Sequence, residues 1–297
     1  MFEQAVCWIN GEITPAAEAK VSVFDHGFLY GDGVFEGLRF YNSRVFRLPL
    51  HLKRLHRSAA ALQLNITLSD AEIAQALSDV IAASPLTEGY LRLIVTRGVG
   101  VLGINPAGCS QPGFIIIADQ LKMVSDEERS KGVRAIITST RRMPPDRLDS
   151  RIKSLNYLNA IMARMEANFA GVEEGILLND RGNVAEGTAD NLFVMQDGEL
   201  LTPPATEGAL AGITRATVLE LAGKIGIPAR EAILTPYDLY IADECFLTGT
   251  GAKLIPVREI DGRKIANCPG DAYQRLTVAF TELVEQETNA QCVNLPA

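Results

Sequence analysis

Three features are missing from this sequence, and each absence excludes a class of protein. No segment is apolar for long enough to cross a membrane, and charges at Glu12, Glu18 and Lys20 interrupt the apolar stretch that a signal peptide needs. Basic residues do not dominate, because 28 lysines and arginines stand against 36 acidic residues, for a net charge of -8. We therefore expect a cytoplasmic protein that binds neither a membrane nor nucleic acid.

The cysteines also lack a pattern. There are 5 of them, an odd number with no CxxC pair, and the 3 histidines share no ligand-like spacing with them. We expect reduced thiols and no metal, with Cys245 as a buried structural thiol and Cys292 near the end of the chain. The expected partner is a small molecule.

The sequence is rich in residues that build a core. Of its 297 residues 47% are hydrophobic, which is enough for a sizeable core and for two domains. Asn10-Gly11 lies between two short apolar runs and predicts a two-residue hairpin turn, and a second hairpin is expected around Asn42-Ser43. Ser69 and Glu72 form a capping box that predicts a helix start. Residues 1–120 are thus interpreted as a small α+β domain.

A polar stretch, residues 121–132, interrupts the apolar pattern and is interpreted as a linker. Residues 133–297 then form the predicted large domain. It contains hairpin turns at Arg181-Gly182 and Asp197-Gly198, a helix that begins near Gly212, and a closing amphipathic helix.

Two charged residues, Lys153 and Glu186, have sequence surroundings that favour a role in catalysis. Lys153 precedes a helical run, so it is expected near a helix N-terminus in partly buried surroundings, where an ammonium loses its proton more readily and can attack an aldehyde. Glu186 is expected in a tight bend before a strand, where it could pair with a protonated ring nitrogen. Most such lysines are solvated and most turn carboxylates have no partner, so the residues alone leave both roles open.

Phosphate binding is suggested by three other places. Gly212, Ile213 and Thr214 open a helix whose first N–H groups suit an anion. Thr250 lies in a Thr/Gly turn that allows close backbone approach. Arg54 could add a bidentate countercharge. Each signal is weak separately. Helix starts and Gly-Thr turns are common, and most arginines on amphipathic helices face water.

Six segments, taken in order, resemble the class IV aminotransferases, and within them the branched-chain aminotransferases. The resemblance covers the chain from about Gly11 to Val257, and the segments read YGDGVFEGLRFY, YLRLIVTRG, RIKSLNYLNA, VAEGTADNLF, GALAGITR and ECFLTGTGAKLIPV. The resemblance implies an α/β (α+β) chain with the two-domain fold type IV of pyridoxal-phosphate enzymes, similar to D-amino acid aminotransferase. Homodimers or larger homo-oligomers are expected with it.

The resemblance also implies a role for each matching residue. Lys153 becomes the Schiff-base lysine that moves the substrate proton, Glu186 the partner of the pyridine nitrogen, and Tyr157 the partner of the cofactor O3′. The remaining cofactor-binding residues are Arg54, Leu210, Gly212, Ile213, Thr214 and Thr250. Apart from Arg54, these contacts are expected from the second domain. The implied substrate-binding residues are Tyr30, Phe35, Gly37, Arg39, Tyr90, Arg92, Thr250 and Gly251.

The implied reaction is reversible amino transfer from leucine, isoleucine or valine to 2-oxoglutarate with pyridoxal 5′-phosphate. Three alternatives stay open, namely a D-amino acid transaminase, an enzyme resembling aminodeoxychorismate lyase, and a non-catalytic protein that binds the cofactor. The YLR and VFEGLR segments favour the branched-chain enzyme. Ala189 stands where many relatives have glycine, and the GVGVLGINP loop differs from several family members, which makes side-chain specificity and the 2-oxoglutarate preference less certain.

Overall fold

The computed structural model describes residues 4–121 and 124–289, which form two compact units. The first unit comprises the residues up to Leu121, Ile152–Asn156 and those from Leu283 onward. The second comprises Lys122–Arg151 and Tyr157–Glu282. Cys292, residues 122–123 of the predicted linker and the outer ends of both predicted domains lie outside the described residues.

The first unit is built on a six-stranded antiparallel sheet with the strand order β2-β1-β6-β5-β3-β4. Its elements in chain order are β1 Val6–Ile9, β2 Glu12–Pro15, α1 His26–Tyr30, β3 Gly33–Tyr41, β4 Arg44–Val45, α2 Leu48–Ala61, α3 Asp70–Ala83, β5 Gly89–Thr96 and β6 Gly113–Asp119.

Both hairpin turns predicted for this unit are confirmed. Asn10 and Gly11 join β1 to β2 with φ values of 48° and 109°, and Asn42 and Ser43 join β3 to β4 with φ values of 50° and 59°. Positive φ at both central positions is what a type I′ turn requires, and asparagine and glycine adopt it at low cost.

One face of this sheet is covered by helices. Leu38 and Phe40 of β3, Leu55 of α2 and Leu77 of α3 are fully buried in a single hydrophobic cluster. The predicted capping box is confirmed, since the Ser69 side chain accepts from the Glu72 N–H and the Glu72 side chain accepts from the Ser69 N–H. Because side chains alternate along a strand, the residues of β3 and β5 between these core positions lie on the opposite face.

The second unit contains a nine-stranded sheet with the order β12-β11-β10-β13-β14-β7-β8-β9, in which β15 pairs with β14. Its elements are α4 Asp126–Lys131, β7 Val133–Ile137, α5 Leu158–Phe169, β8 Glu174–Leu178, β9 Val184–Gly187, β10 Asn191–Gln196, β11 Glu199–Thr202, α6 Ile213–Lys224, β12 Ala229–Glu231, α7 Pro236–Tyr240, β13 Glu244–Gly249, β14 Lys253–Ile260 and β15 Arg263–Lys264. The last helix, α8 Asp271–Asn289, belongs to the second unit up to Glu282 and to the first unit from Leu283 onward.

The local signals in this unit are also confirmed. Arg181-Gly182 lies between β8 and β9, and Asp197-Gly198 between β10 and β11, both in antiparallel pairs. Gly212 is the N-cap of α6. The closing helix is α8, and none of the described helices is long and apolar enough to span a membrane.

The predicted linker and the two predicted domains overlap with the two units. The segment interpreted as a linker contains α4, whose capping box joins Ser125 and Glu128. Ile152–Asn156 is grouped with the first unit because its backbone pairs with β3, whereas the sequence interpretation assigned Lys153 to the large domain. The division into 1–120, 121–132 and 133–297 stays a proposal.

Replacing Ser69 by alanine should destabilise the first unit by about 1 kcal/mol, because the Glu72 N–H loses its acceptor at the helix start. Urea unfolding followed by circular dichroism measures the change in the free energy of unfolding. Ser69→Asp keeps an acceptor at the N-cap and should stay near the parent value. Equal losses in both variants would show that the cap contributes nothing.

Candidate functional site

Five of the predicted substrate residues share one face of the first unit's sheet. Gly37 pairs with Arg92 and Arg39 with Tyr90 across β3 and β5, and Phe35 is two residues before Gly37. Cross-strand partners project on the same side of a sheet. This side is opposite the helical core, so the strands present one cluster of aromatic and cationic groups.

Gly37 is required by the tyrosine beside it. A Cβ atom built at Gly37 would lie 2.1 Å from the Tyr90 Oη, a distance that atoms cannot adopt. Arg92 forms a hydrogen bond with the Tyr90 hydroxyl, while burial raises the pKa of Tyr90. The glycine therefore leaves room for a neutral phenol that lies across β3 and contacts an arginine.

Two cations approach the ring of Phe35. The Arg92 Cζ lies 4.0 Å and the Lys153 Nζ 4.5 Å from the ring centroid, and Phe35 is only 3% exposed. Both distances are within the range of cation–π contacts. An amine that can attack an aldehyde is thus adjacent to an apolar wall and to a cation suited to a carboxylate.

Lys153 is held by its backbone. Its carbonyl accepts from the Phe35 N–H at 2.9 Å, its own N–H donates to the Ser58 Oγ at 3.1 Å, and the Leu155 N–H donates to the Gly33 carbonyl at 3.0 Å. The expected place near a helix N-terminus is wrong, since α5 begins only at Leu158. Residues 152–156 pair with β3, and α5 begins only after this pairing ends.

On the helical face of the same strand, Glu36 binds Arg54 and His51. Its carboxylate accepts from the Arg54 Nε and Nη2 and from the His51 Nδ1, all at 2.7 Å. Burial disfavours the charged form, but the Arg54 charge and these hydrogen bonds outweigh it and lower the pKa of Glu36 to about 2. Sequence reasoning missed Glu36 and His51, although an acidic residue at a core position of a strand was a signal.

Tyr30 and Arg39 have other contacts. The Tyr30 hydroxyl accepts from the Gly103 N–H at 2.8 Å, which ties the end of α1 to the loop after β5. Arg39 donates from Nη2 to the Leu121 carbonyl at 2.9 Å. Both of these hydrogen bonds are with backbone atoms, so the predicted substrate roles of the two residues stay predictions.

In the second unit Glu186 is a buried carboxylate with three donors. Arg142 Nη2 donates to it at 2.7 Å, the Leu210 N–H at 2.9 Å and Asn191 Nδ2 at 3.2 Å. The expected bend is displaced, because Glu186 lies within β9 and the chain bends at residues 188–190, where the Gly187 N–H donates to the Asp190 carbonyl. Donors at both oxygens match an ionised carboxylate.

Arg142 was not predicted, and it is itself held in place. Glu166 of α5 accepts from the N–H groups of Ser139 and Thr140 at 2.6 and 2.9 Å. Burial opposes ionisation of Glu166, yet the bonds from Thr140 and Ser139 lower its pKa to about 2. The segment between β7 and Arg142 is therefore fixed to α5.

Asn191 links three predicted cofactor residues. Besides contacting Glu186, its Nδ2 donates to the Leu210 carbonyl at 3.0 Å, and a Cβ built at Gly212 would lie 1.9 Å from its Oδ1. Gly212 is the N-cap of α6, and it has no side chain that could accept a hydrogen bond from the first turn. The N–H groups of Ile213 and Thr214 therefore have no capping side chain. This region suits an anion.

The turn that carries Thr250 and Gly251 follows β13, as predicted. Thr248, on the same strand, is paired with Asn191 across the sheet and is 1% exposed. Its Oγ1 is buried and has no hydrogen-bond partner within residues 4–121 and 124–289. A buried hydroxyl without a partner costs free energy, which a polar ligand would recover.

Tyr157 is the half-buried N-cap of α5.

The chain is similar to proteins of known family. The model of the amino-transferase class IV family matches residues 33–260. A putative branched-chain-amino-acid aminotransferase of Methanocaldococcus jannaschii is 46% identical over 277 residues, which are 93% of this chain and 95% of the relative. The crystal structure of the Escherichia coli branched-chain amino acid aminotransferase has a TM-score of 0.89 at 36% identity and covers 95% of each chain. The branched-chain amino acid aminotransferase of Thermobaculum terrenum, solved in its PLP form, has a TM-score of 0.84 at 30% identity and covers 96% of each chain.

Replacing Arg142 by methionine should destabilise the ligand-free protein by about 3 to 5 kcal/mol, because it removes an ion partner of the buried Glu186 carboxylate. Guanidinium unfolding measures the loss. The double variant Arg142→Met, Glu186→Leu removes both charges and should recover most of it. A single variant as stable as the parent would mean that water or another donor replaces Arg142.

Proposed function

The chain belongs to the amino-transferase class IV family, and we propose that it reversibly transfers the amino group of leucine, isoleucine or valine to 2-oxoglutarate. The observation that carries this proposal is the contact of Phe35 with both Lys153 and Arg92. It places a reactive amine beside an apolar wall and a carboxylate-binding cation, the three groups that a branched-chain amino acid requires. The relatives' names agree with it.

The residues present fit pyridoxal 5′-phosphate. The buried carboxylate of Glu186, the helix start at Gly212 without a capping side chain and the Thr248 hydroxyl, which has no partner among the described residues, suit a ring nitrogen, a phosphate and a further polar group. When bound, the cofactor supplies a cationic pyridine ring that withdraws electrons from the substrate Cα. The Thermobaculum terrenum relative was solved in its PLP form.

The chain's residues then act as follows. The amine of Lys153 would hold the cofactor through its aldehyde and would serve as the general acid-base group that moves the proton between the substrate Cα and the cofactor C4′. Glu186 keeps the proton on the pyridine nitrogen, with Arg142 and the Leu210 N–H holding its carboxylate in place. Tyr157 donates to the phenolic oxygen. The phosphate is bound by the Arg54 guanidinium, by the N–H groups of Ile213 and Thr214 next to the Gly212 cap, and by Thr250.

Substrate binding follows from the sheet face of the first unit. Arg92 and Tyr90 donate to carboxylate oxygens, and Phe35 provides the apolar wall for the branched side chain. We assign Tyr30, Arg39 and Gly251 to the same binding task, and Gly37 to the space that Tyr90 occupies. One methylene changes binding by about 1 to 3 kcal/mol in such a pocket, so all three branched substrates are accepted.

Lys153→Ala should lower amino transfer from L-leucine to 2-oxoglutarate by at least about a thousandfold, since general acid-base catalysis alone contributes about a hundred- to ten-thousandfold. The matched control is Lys224→Ala, which removes an exposed lysine paired with Glu220 on α6. Visible absorbance of the bound cofactor should shift in Lys153→Ala and stay unchanged in the control.

Substrate choice tests the reaction itself. Turnover of D-alanine without L-leucine would identify a D-amino acid transaminase, and pyruvate release from aminodeoxychorismate would identify a lyase. Cofactor binding without any turnover would identify a binding protein. Full activity of Lys153→Ala would overturn the role of this lysine.

We infer that the chain assembles with a second copy through α5. Five apolar side chains are exposed on one side of this helix, namely Leu158, Ile161, Met162, Met165 and Phe169, of which Phe169 is 97% exposed. Positions 158, 161, 162, 165 and 169 recur about once per helical turn and therefore lie on one stripe, opposite the buried alanines at 160, 163 and 167. An apolar stripe matches another apolar stripe, and a twofold axis supplies an identical one.

Met165→Lys should shift the protein towards monomer, because it inserts a charge into the centre of the α5 stripe. Light scattering coupled to size exclusion measures the mass. Ala61→Lys, at an exposed alanine in the last turn of α2, adds the same charge elsewhere and should leave the mass unchanged. An oligomer of undiminished mass in Met165→Lys would exclude α5 from the interface.

We also propose a cytoplasmic location. The four cysteines within the described ranges, Cys7, Cys109, Cys245 and Cys268, are free thiols, and burial raises the pKa of each. Such thiols are the state that a reducing compartment maintains.

A further inference from the structure

A buried ionic cluster joins β3 to α2 in the first unit. Glu36 and His51 are 0% and 1% exposed, and the side chain of Arg54 is 11% exposed. Glu36 accepts all three hydrogen bonds described above. A buried ion pair is weak evidence for stability, because removing charges from water costs several kcal/mol per ion. The cluster therefore calls for a reason other than stability.

The pairing fixes the direction of the Arg54 guanidinium. Nε donates to Oε1 and Nη2 to Oε2, so one edge of the planar group is engaged by both oxygens of one carboxylate. Two parallel bonds to one carboxylate determine both the plane and the rotation of the guanidinium. Nη1 lies on the other edge, away from Glu36, with a direction set by the pair.

His51 fixes Glu36 in turn. Burial is the main cause that lowers the pKa of His51, and the charges of Arg54 and Lys153 add to it, while Glu36 opposes it. The imidazole is therefore neutral near pH 7. Since ionised Glu36 only accepts, Nδ1 carries the proton and donates to Oε2. This bond holds the carboxylate plane in the orientation that the arginine requires.

We propose that Glu36 and His51 are positioning residues that orient Arg54 towards the phosphate of pyridoxal phosphate. This inference rests on the proposed function, in which Arg54 binds that phosphate. Neither residue contacts the phosphate in this scheme. They hold the long side chain of Arg54 in one geometry before the phosphate binds. Arg54 therefore loses less conformational entropy when the phosphate binds.

Charge and geometry predict opposite results for Glu36→Gln. If charge alone mattered, neutralising Glu36 would remove a negative charge beside Arg54, and the phosphate would bind more tightly. If positioning matters, the phosphate binds more weakly, because the glutamine amide presents N–H groups to Arg54 or to His51 and breaks the bidentate pair. The sign of the change therefore distinguishes the two.

The experiment compares pyridoxal phosphate with pyridoxal, which lacks the phosphate, on the full-length cofactor-free protein. Equilibrium dialysis gives both dissociation constants, and their ratio is the phosphate preference. Glu36→Gln should lower this preference by about tenfold, which corresponds to about 1.4 kcal/mol. Arg54→Ala should lower it at least as much. The double variant should match Arg54→Ala, because a positioning residue has no effect without the side chain that it positions.

Each outcome decides one claim. An unchanged preference in Arg54→Ala would overturn the phosphate role of Arg54 and with it part of the proposed function. A reduced preference in Arg54→Ala together with an unchanged or increased one in Glu36→Gln would overturn only the positioning role. An additive loss in the double variant would also overturn it, since Glu36 would then act independently of Arg54.

A second pair of variants serves if Glu36→Gln fails to fold. His51→Asn keeps an N–H donor close to the place of Nδ1, whereas His51→Leu has none. We expect His51→Asn to retain the phosphate preference and His51→Leu to lose it severalfold, with pyridoxal binding unchanged in both. Equal preferences in the two variants would overturn the role of His51.

Discussion

The backbone pairing between β3 and the Ile152–Asn156 segment determines where the chemistry of this protein takes place. Two hydrogen bonds, which form a bridge between Val34 and Ser154, hold Lys153 against a strand whose two faces carry different groups. One face of that strand carries Phe35 and Gly37 towards Tyr90 and Arg92 of β5, which we propose as substrate residues, and the other carries Glu36 towards α2. A slip of one residue would exchange the two faces and destroy both clusters.

Two buried carboxylates illustrate how the protein stabilises charge away from water. Glu36 is bound by one arginine and a neutral histidine, while Glu186 is bound by one arginine, a backbone N–H and an asparagine. Both oxygens of each carboxylate have a donor, so neither burial leaves an unpaired charge. Arg142 holds the carboxylate of Glu186, whereas Glu36 orients the guanidinium of Arg54, and we assign both Glu186 and Arg54 to cofactor binding.

Much of the fold was predictable because its signals are local. The Asn10-Gly11 turn, the Ser69 capping box and the start of α6 at Gly212 all depend on residues within a few positions of one another. The family motifs likewise led to the proposal of Lys153 and Glu186 as site residues, which stays a proposal. The placement of both was less accurate, because the helix after Lys153 and the bend at Glu186 were each expected too early in the chain.

Strand alternation, turns and helix caps are set by the sequence itself, since each follows from the conformational preferences of neighbouring residues. The partners of Glu36, Glu186 and Lys153 were decided by tertiary structure. Arg142 and Asn191 meet Glu186, and Phe35 meets Lys153, only because strands and segments distant in sequence pair with each other. No local preference encodes such a contact, because it exists only after the sheet has brought the two segments together.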